Sequence, residues 1–285
     1  MISMLVSAAA FAVMGAFVKA AADTPFLVKV IFRNLLTLAI AGAVAVRSGR
    51  SLLGQWRHQP QLVARSLFGI GGVTCFFYAI DHLILADATM LANLSPFFVA
   101  TFAALFLRER PANAVVVGMV IAFTGSLFVV KPRFDLSIVP ALVGLASAVF
   151  AGLAYTTLRS LRSKEAPETI IFHFSLVTVV GLLPVAAADL RVPHGLEVVW
   201  LLGIGVAAAV GQFGVTLAYR QAPAAEVAVY SYSMILVAAL LGFIFWSEVP
   251  DALSVLGGSL IFAGGVTAYL SERRRPEIED RPPPA

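Results

Sequence analysis

Apolar residues run along this chain in ten blocks, at 2–22, 26–46, 62–81, 84–107, 112–130, 136–158, 168–188, 196–219, 225–247 and 252–271. A helix needs roughly 20 apolar residues to cross a bilayer, and every block is of about that length. Polar connections between the blocks are short, so no soluble domain is expected. The pattern predicts an all-α polytopic membrane protein with ten transmembrane spans. The first block lacks a basic n-region and is longer than a typical signal-peptide core, so it reads as span 1. From Glu272 the chain turns to arginine and proline, and 272–285 is expected to be a disordered cytoplasmic tail.

The blocks are not independent of one another. At a constant offset of 139, Ala86 matches Ala225, Asp87 matches Glu226, and Phe106 matches Phe245. Glu109, Pro111, Gly118, Phe123 and Gly125 likewise match Glu248, Pro250, Gly257, Phe262 and Gly264 without a gap. The expected units are 1–132 (spans 1–5) and 136–271 (spans 6–10). Five crossings per unit force the second copy to enter the membrane upside down. Two inverted five-helix repeats are the signature of secondary transporters that alternate access to a central site.

Composition and charge sharpen this picture. The chain is 60% hydrophobic and 13% charged, against about 25% charged for ordinary soluble domains. With an inner N-terminus, fourteen of the 20 Lys and Arg residues fall on the cytoplasmic side, Arg65 among them. Lys19, Lys29, Lys131, Arg133 and Arg191 fall outside, and Arg33 lies within span 2. The positive-inside rule then predicts cytoplasmic N- and C-termini. A net charge of +4 distributed this way sets orientation and gives no reason to expect a nucleic-acid partner. Cys75 stands alone and forms no intrachain disulfide.

The stretch Leu85-Ala-Asp-Ala-Thr-Met-Leu-Ala-Asn-Leu-Ser-Pro96, running into Phe106-Leu-Arg-Glu-Arg-Pro111, resembles the EamA-type repeat of the drug/metabolite transporter superfamily. Glu248-Val-Pro250 resembles the same turn in the second copy, and Phe32-Arg33 the Phe-Arg of span 2. The resemblance implies a ten-helix carrier whose cavity is lined by spans 1, 3, 4, 6, 8 and 9, in a bacterial inner membrane. It leaves the solute open, since the family carries amino acids, nucleobase-type metabolites, phosphorylated sugars and vitamins. Ile235 stands where Pro96 does in the first copy, so only span 4 is expected to have a proline break.

Polar groups at mid-membrane are costly against lipid, so those near span centres are the candidates for a site. Pro96 removes a backbone hydrogen bond and frees the Ala92 carbonyl, which makes it a candidate hinge beside Asn93 and Ser95. Its alternative is a plain kink, with Asn93 bonding between helices. Tyr232 aligns with Asn93; Tyr230 and Tyr232 cannot share one narrow helix face, so one lines the cavity and the other packs. Tyr78, Tyr155, Gln212 and Arg33 complete the substrate-binding candidates. Lys19 reads as a solvated anchor, and Glu109 and Glu248 as capping groups for the helices that follow them. Asp87, Glu226 and His173 are candidates for coupling or gating, or else for dipole stabilisation and interhelical bonding. Asn93→Ala and Tyr232→Ala are both expected to impair transport without loss of folded yield.

A membrane channel or facilitator is the alternative reading, although the chain shows no charged ring or re-entrant filter; a membrane-embedded enzyme ranks below it, since paired aspartates, Ser with His and a zinc spacing are all missing from the sequence. The expected function is a secondary transporter, an exporter by preference, of a small amphipathic metabolite such as an amino acid or heterocyclic compound. No cofactor or metal is expected. The expected partners are the solute and the lipid bilayer, in a monomer or a homodimer formed through spans 5 and 10. The cavity should be mostly neutral and aromatic.

Overall fold

Proline opens many of these helices. Pro60, Pro140 and Pro167 stand in first turns, where no intrahelical donor is lost, and Pro25 precedes the second helix. The computed structural model describes residues 2–106, 113–130, 138–189, 193–221 and 224–273, without the side chains of 103, 115, 224–226, 228 and 271–273. Its helices are α1 (Ile2–Ala20), α2 (Phe26–Arg47), α3 (Gln59–His82), α4 (Leu85–Ala92), α5 (Ser95–Phe106) and α6 (Asn113–Val130). They continue as α7 (Val139–Leu161), α8 (Pro167–Ala186), α9 (Leu196–Gln221), α10 (Ala224–Ser231), α11 (Ser233–Trp246) and α12 (Ala252–Arg273). Nine stretches among the described residues are long and apolar enough to cross a membrane, and a shorter apolar helix covers Val116–Val130. The protein is an all-α polytopic membrane protein of about ten spans.

The core lies between the two halves of the chain. The most extensive helix contacts are α6 on α12, α3 on α7, α1 on α9 and α2 on α8, each joining the first half to the second. Glycines set the closest of these. A Cβ built on Gly118 would stand 2.5 Å from the Gly264 carbonyl oxygen, and one on Gly125 would stand 2.6 Å from that of Gly257. The earlier glycine of α6 thus meets the later one of α12, so the two helices cross antiparallel. These small faces serve a contact within one chain. Large apolar side chains such as Leu67, Val120, Leu236 and Phe245 point outward instead, as lipid-facing residues do.

Spans 4 and 9 are both interrupted, at matching positions. After Ala92, Asn93 leaves helical geometry (φ −73°, ψ 4°) and the amide of Phe97 bonds only three residues back, to Leu94. Pro96 accounts for this break. Span 9 breaks at Tyr232, between α10 and α11, without a proline. There the Ser233 hydroxyl donates to the Tyr230 carbonyl at 2.7 Å, and Ile235 reaches back only to Tyr232. A serine hydroxyl competing for a helix carbonyl tightens or bends the turn. Span 4 alone is broken by a proline, and the sequence pattern left the serine-driven interruption of span 9 unannounced.

Ion pairs fasten the helix ends. Lys19, at the end of α1, pairs with Glu248 and donates to the Leu83 carbonyl at 3.1 Å. Glu248 also accepts the Leu85 amide at 3.0 Å, capping α4 rather than the helix that follows it. Asp251 caps that helix, through the Ser254 amide. Lys19 is therefore a paired cross-link between α1 and the loop after α11, not a solvated anchor. Lys29 is completely buried, 2.7 Å from Asp81 and 3.0 Å from the Val18 carbonyl. At the opposite ends of the helices, His58 meets Glu165 at 2.6 Å. Glu109 lies outside the described residues, as does the side chain of Glu226.

Candidate functional site

Both helix breaks open onto one cavity of about 140 Å³. Ala92, Asn93, Ser95 and Pro96 border it from the first break, and Val227, Ser231 and Met234 from the second. Spans 1, 3, 6 and 8 complete the wall, with Arg33 from α2 and Phe174 from α8 added. Its position follows from the packing, because the two halves meet there and each contributes an interrupted helix to the wall. Discontinuous helices are where carriers place their binding sites, since freed carbonyls and half-helix ends there offer polar groups within an apolar wall.

Asn93 itself is turned partly to local duty, its side-chain amide donating to the Thr89 carbonyl at 2.9 Å. Tyr155 borders the cavity and stacks on Tyr219, with ring centres 5.1 Å apart. Gln212 accepts from Arg33 at 3.4 Å, leaving its own side-chain nitrogen without a partner. These residues, with Arg33, Ser95 and Pro96, are the sequence-derived candidates that the fold brings together.

Others stand elsewhere. Tyr232 is 2% exposed, packed edge-on against Phe262 at 5.8 Å and against Gly265 of α12. Tyr230 contributes its carbonyl to Ser233 and packs against the core cluster that includes Leu158, Val215 and Val227, and Ser231 between the two tyrosines borders the cavity instead. Tyr78 stacks on His82 at 4.1 Å, near the end of α3. His173 sits between Ser66 at 3.0 Å and Gln59 at 3.2 Å, an interhelical link beside the cavity wall. Asp87 is buried in the first turn of α4.

Arg65 was the residue hidden from a sequence reading. Counted with the cytoplasmic basic residues, it is in fact 2% exposed and borders the cavity, as does Arg33 at 3%. Both guanidinium groups lie over the Phe174 ring, at 4.4 Å for Arg65 and 5.6 Å for Arg33. Gly69, one turn after Arg65, makes room for this. A Cβ there would meet Arg65 Nη1 at 2.5 Å and the Phe174 ring at 2.6 Å. Distances to a shared ring place the two cationic carbons no more than about 10 Å apart, where like charges repel by at least roughly 1.7 kcal/mol at an effective dielectric of 20. Expecting a mostly neutral cavity is thus corrected: its wall is aromatic and apolar but carries two positive charges. The signal available in sequence was Arg65 with Gly69 and Gly72 on its own helix face.

Comparison with known proteins places this geometry. The model of the EamA-like transporter family matches residues 1–131 and again 139–270. The pseudopaline exporter CntI of Pseudomonas aeruginosa is 40% identical over 255 residues, covering 88% of this chain and 89% of that protein. A riboflavin transporter of Rhizobium johnstonii is 31% identical over 221 residues, 77% of this chain and 72% of its own. Human solute carrier family 35 member G1 is 26% identical over 93% of this chain and 77% of its own. A crystal structure with 20% sequence identity and a TM-score of 0.71 covers 95% of this chain and 98% of its own, and shares the fold. With both halves matched in turn, the chain belongs to the EamA-like transporter family, a multi-pass membrane protein that handles small solutes.

Proposed function

We propose that this protein is a secondary carrier that moves a small amphipathic metabolite across the bacterial inner membrane by alternating access. Its units, 1–132 and 136–271, are two inverted repeats with the solute site between them. The observation that carries this reading is a cavity bordered by both interrupted spans. The antiparallel crossing of α6 and α12, helices that occupy equivalent places in the two units, supports inversion. A cavity walled by Tyr155, Tyr219, Phe76 and Phe174 suits an amino acid or heterocyclic compound better than a bulky polyphosphate.

Orientation and direction are supported by separate observations. Moving Arg65 from the cytoplasmic tally to the cavity leaves thirteen basic residues inside against five outside, which still supports cytoplasmic termini. Export is supported by the relative at 40% identity, a pseudopaline exporter. Asn93, Ser95, Ser231, Tyr155 and Gln212 are the proposed solute contacts, with Pro96 as hinge.

The test is reconstitution. Purified protein in liposomes, preloaded with an unlabelled solute chosen by thermal-shift screening, should show saturable uptake of the labelled solute. Preloading should accelerate that uptake, because a carrier returns faster when loaded. Uptake that is linear in concentration and indifferent to preloading would identify a channel and reject the carrier.

A further inference from the structure

The charged residues buried at helix ends and those in the cavity are treated differently. Lys19 and Lys29 each have a carboxylate of their own, Glu248 and Asp81. Arg33 and Arg65 are at least as deeply buried as Lys19 and have none among the described residues. Arg33 uses its two terminal nitrogens on the neutral oxygens of Asn34 (3.1 Å) and Gln212 (3.4 Å). Arg33 Nε, Arg65 Nε, Arg65 Nη1 and the Gln212 side-chain nitrogen find no partner. All four are donors, and all belong to residues that border the cavity. Besides each other, the titratable neighbour these guanidinium groups share is the Tyr155 phenol.

A buried cation without a counter-ion is among the costliest arrangements in a protein, and a second one nearby adds repulsion that the face of Phe174 offsets only in part. A scaffold role would have been met by an acidic side chain, as it is for both lysines. What the cavity offers instead is a cluster of unfilled donors on an apolar wall, with Gly69 keeping space for one of the guanidinium groups. Planar guanidinium forks match carboxylate and phosphoryl oxygens two at a time.

We propose that Arg33, Arg65 and Gln212 form an anion subsite in this cavity, and that the transported solute is an organic dianion. Its two negative charges, from a pair of carboxylates or one phosphoryl group, offset the two guanidinium charges. Its apolar or aromatic body lies against Phe174 and the stacked pair Tyr155 and Tyr219. The assignment deepens the carrier reading above and rests on it for the word transported. It narrows the amphipathic class to acids and disfavours zwitterions with no net charge.

Thermal unfolding of the purified full-length protein in detergent tests this with three probes. Benzylsuccinate supplies two carboxylates and a ring, benzylsuccinamide is its neutral diamide, and phenyl phosphate supplies the phosphoryl alternative. At least one of the two dianions should raise the melting temperature in a saturable way at concentrations where the diamide does not. Which of them does so decides between the carboxylate and phosphoryl sources. Arg33→Gln and Arg65→Gln should each weaken that dianion at least tenfold, and Gly181→Ala, at a lipid-facing position, should leave it unchanged. Comparison of dianion with diamide on the unaltered protein needs no variant, so misfolding of either glutamine variant does not blunt the test. Equal shifts from all three probes, no shift from either dianion, or undiminished dianion binding in both folded glutamine variants would overturn the subsite. Dianion binding without accelerated exchange in liposomes would instead sink the carrier reading and leave the subsite standing.

Discussion

Replacing Gly118 by alanine puts the contact between α6 and α12 under a defined load. The new Cβ would lie 2.5 Å from the Gly264 carbonyl oxygen, where ordinary van der Waals contact begins at 3.4 Å. Its neighbour is backbone and cannot rotate away, so the helices must part by several tenths of an ångström along their whole crossing. Overpacking of this kind costs about 1–3 kcal/mol. Against it stands the helix-propensity gain of alanine over glycine, about 1 kcal/mol. Gly181 isolates that gain, since a Cβ there meets nothing within 4 Å and the helix faces outward. The comparison of interest is Gly118→Ala with Gly181→Ala, which cancels the propensity term and leaves the steric one. At roughly 2–4 °C per kcal/mol for a chain of this order, the two variants should melt about 2–12 °C apart, with Gly118→Ala lower. Thermal unfolding in detergent, followed by tryptophan fluorescence, reads the difference. Equal melting temperatures would refute the close crossing and, with it, the antiparallel pairing of these helices.

Other consequences are open to measurement. Asp81→Asn strands the ammonium of Lys29 and should lower stability by roughly 3 kcal/mol, the low end for a broken buried pair because Asp81 keeps some exposure; unchanged melting would show that the pair contributes nothing. Tyr232→Ala removes a ring wedged against Phe262 and α12 and should lose about 3–5 kcal/mol, so folded yield should fall rather than hold. Asn93→Ala should fold normally and transport poorly; normal exchange in liposomes would remove Asn93 from the path.

Much of this architecture is written in the sequence, and for a physical reason. Crossing lipid demands long apolar blocks, so the spans are visible, and duplication left Gly118, Gly125, Gly257 and Gly264 in register. Pro96 announces its break because it lacks an amide hydrogen. Rotation of each helix about its axis is far less legible. A span that is apolar on every side gives no amphipathic stripe, so Tyr232 and Asn93 look equivalent although one packs on α12 and the other borders the cavity. Arg65 misled for a different reason. A basic residue a few positions inside a span can snorkel to the interface, and only its neighbours in space decide that it does not. The break at Tyr232 depends on a serine hydroxyl choosing a backbone carbonyl, a choice that residue types alone leave undecided.

Whether the central cavity opens to each side in turn can be measured directly. In a Cys75→Ala background, Ser231→Cys places one thiol at the cavity wall, for reaction with a membrane-impermeant reagent applied to either face of oriented vesicles. The account predicts reaction from both faces. Adding Glu248→Gln weakens the lock between Glu248 and Lys19, and should raise the outer rate while lowering the inner one. Reaction from one face only, or rates that rise together on both, would contradict alternating access.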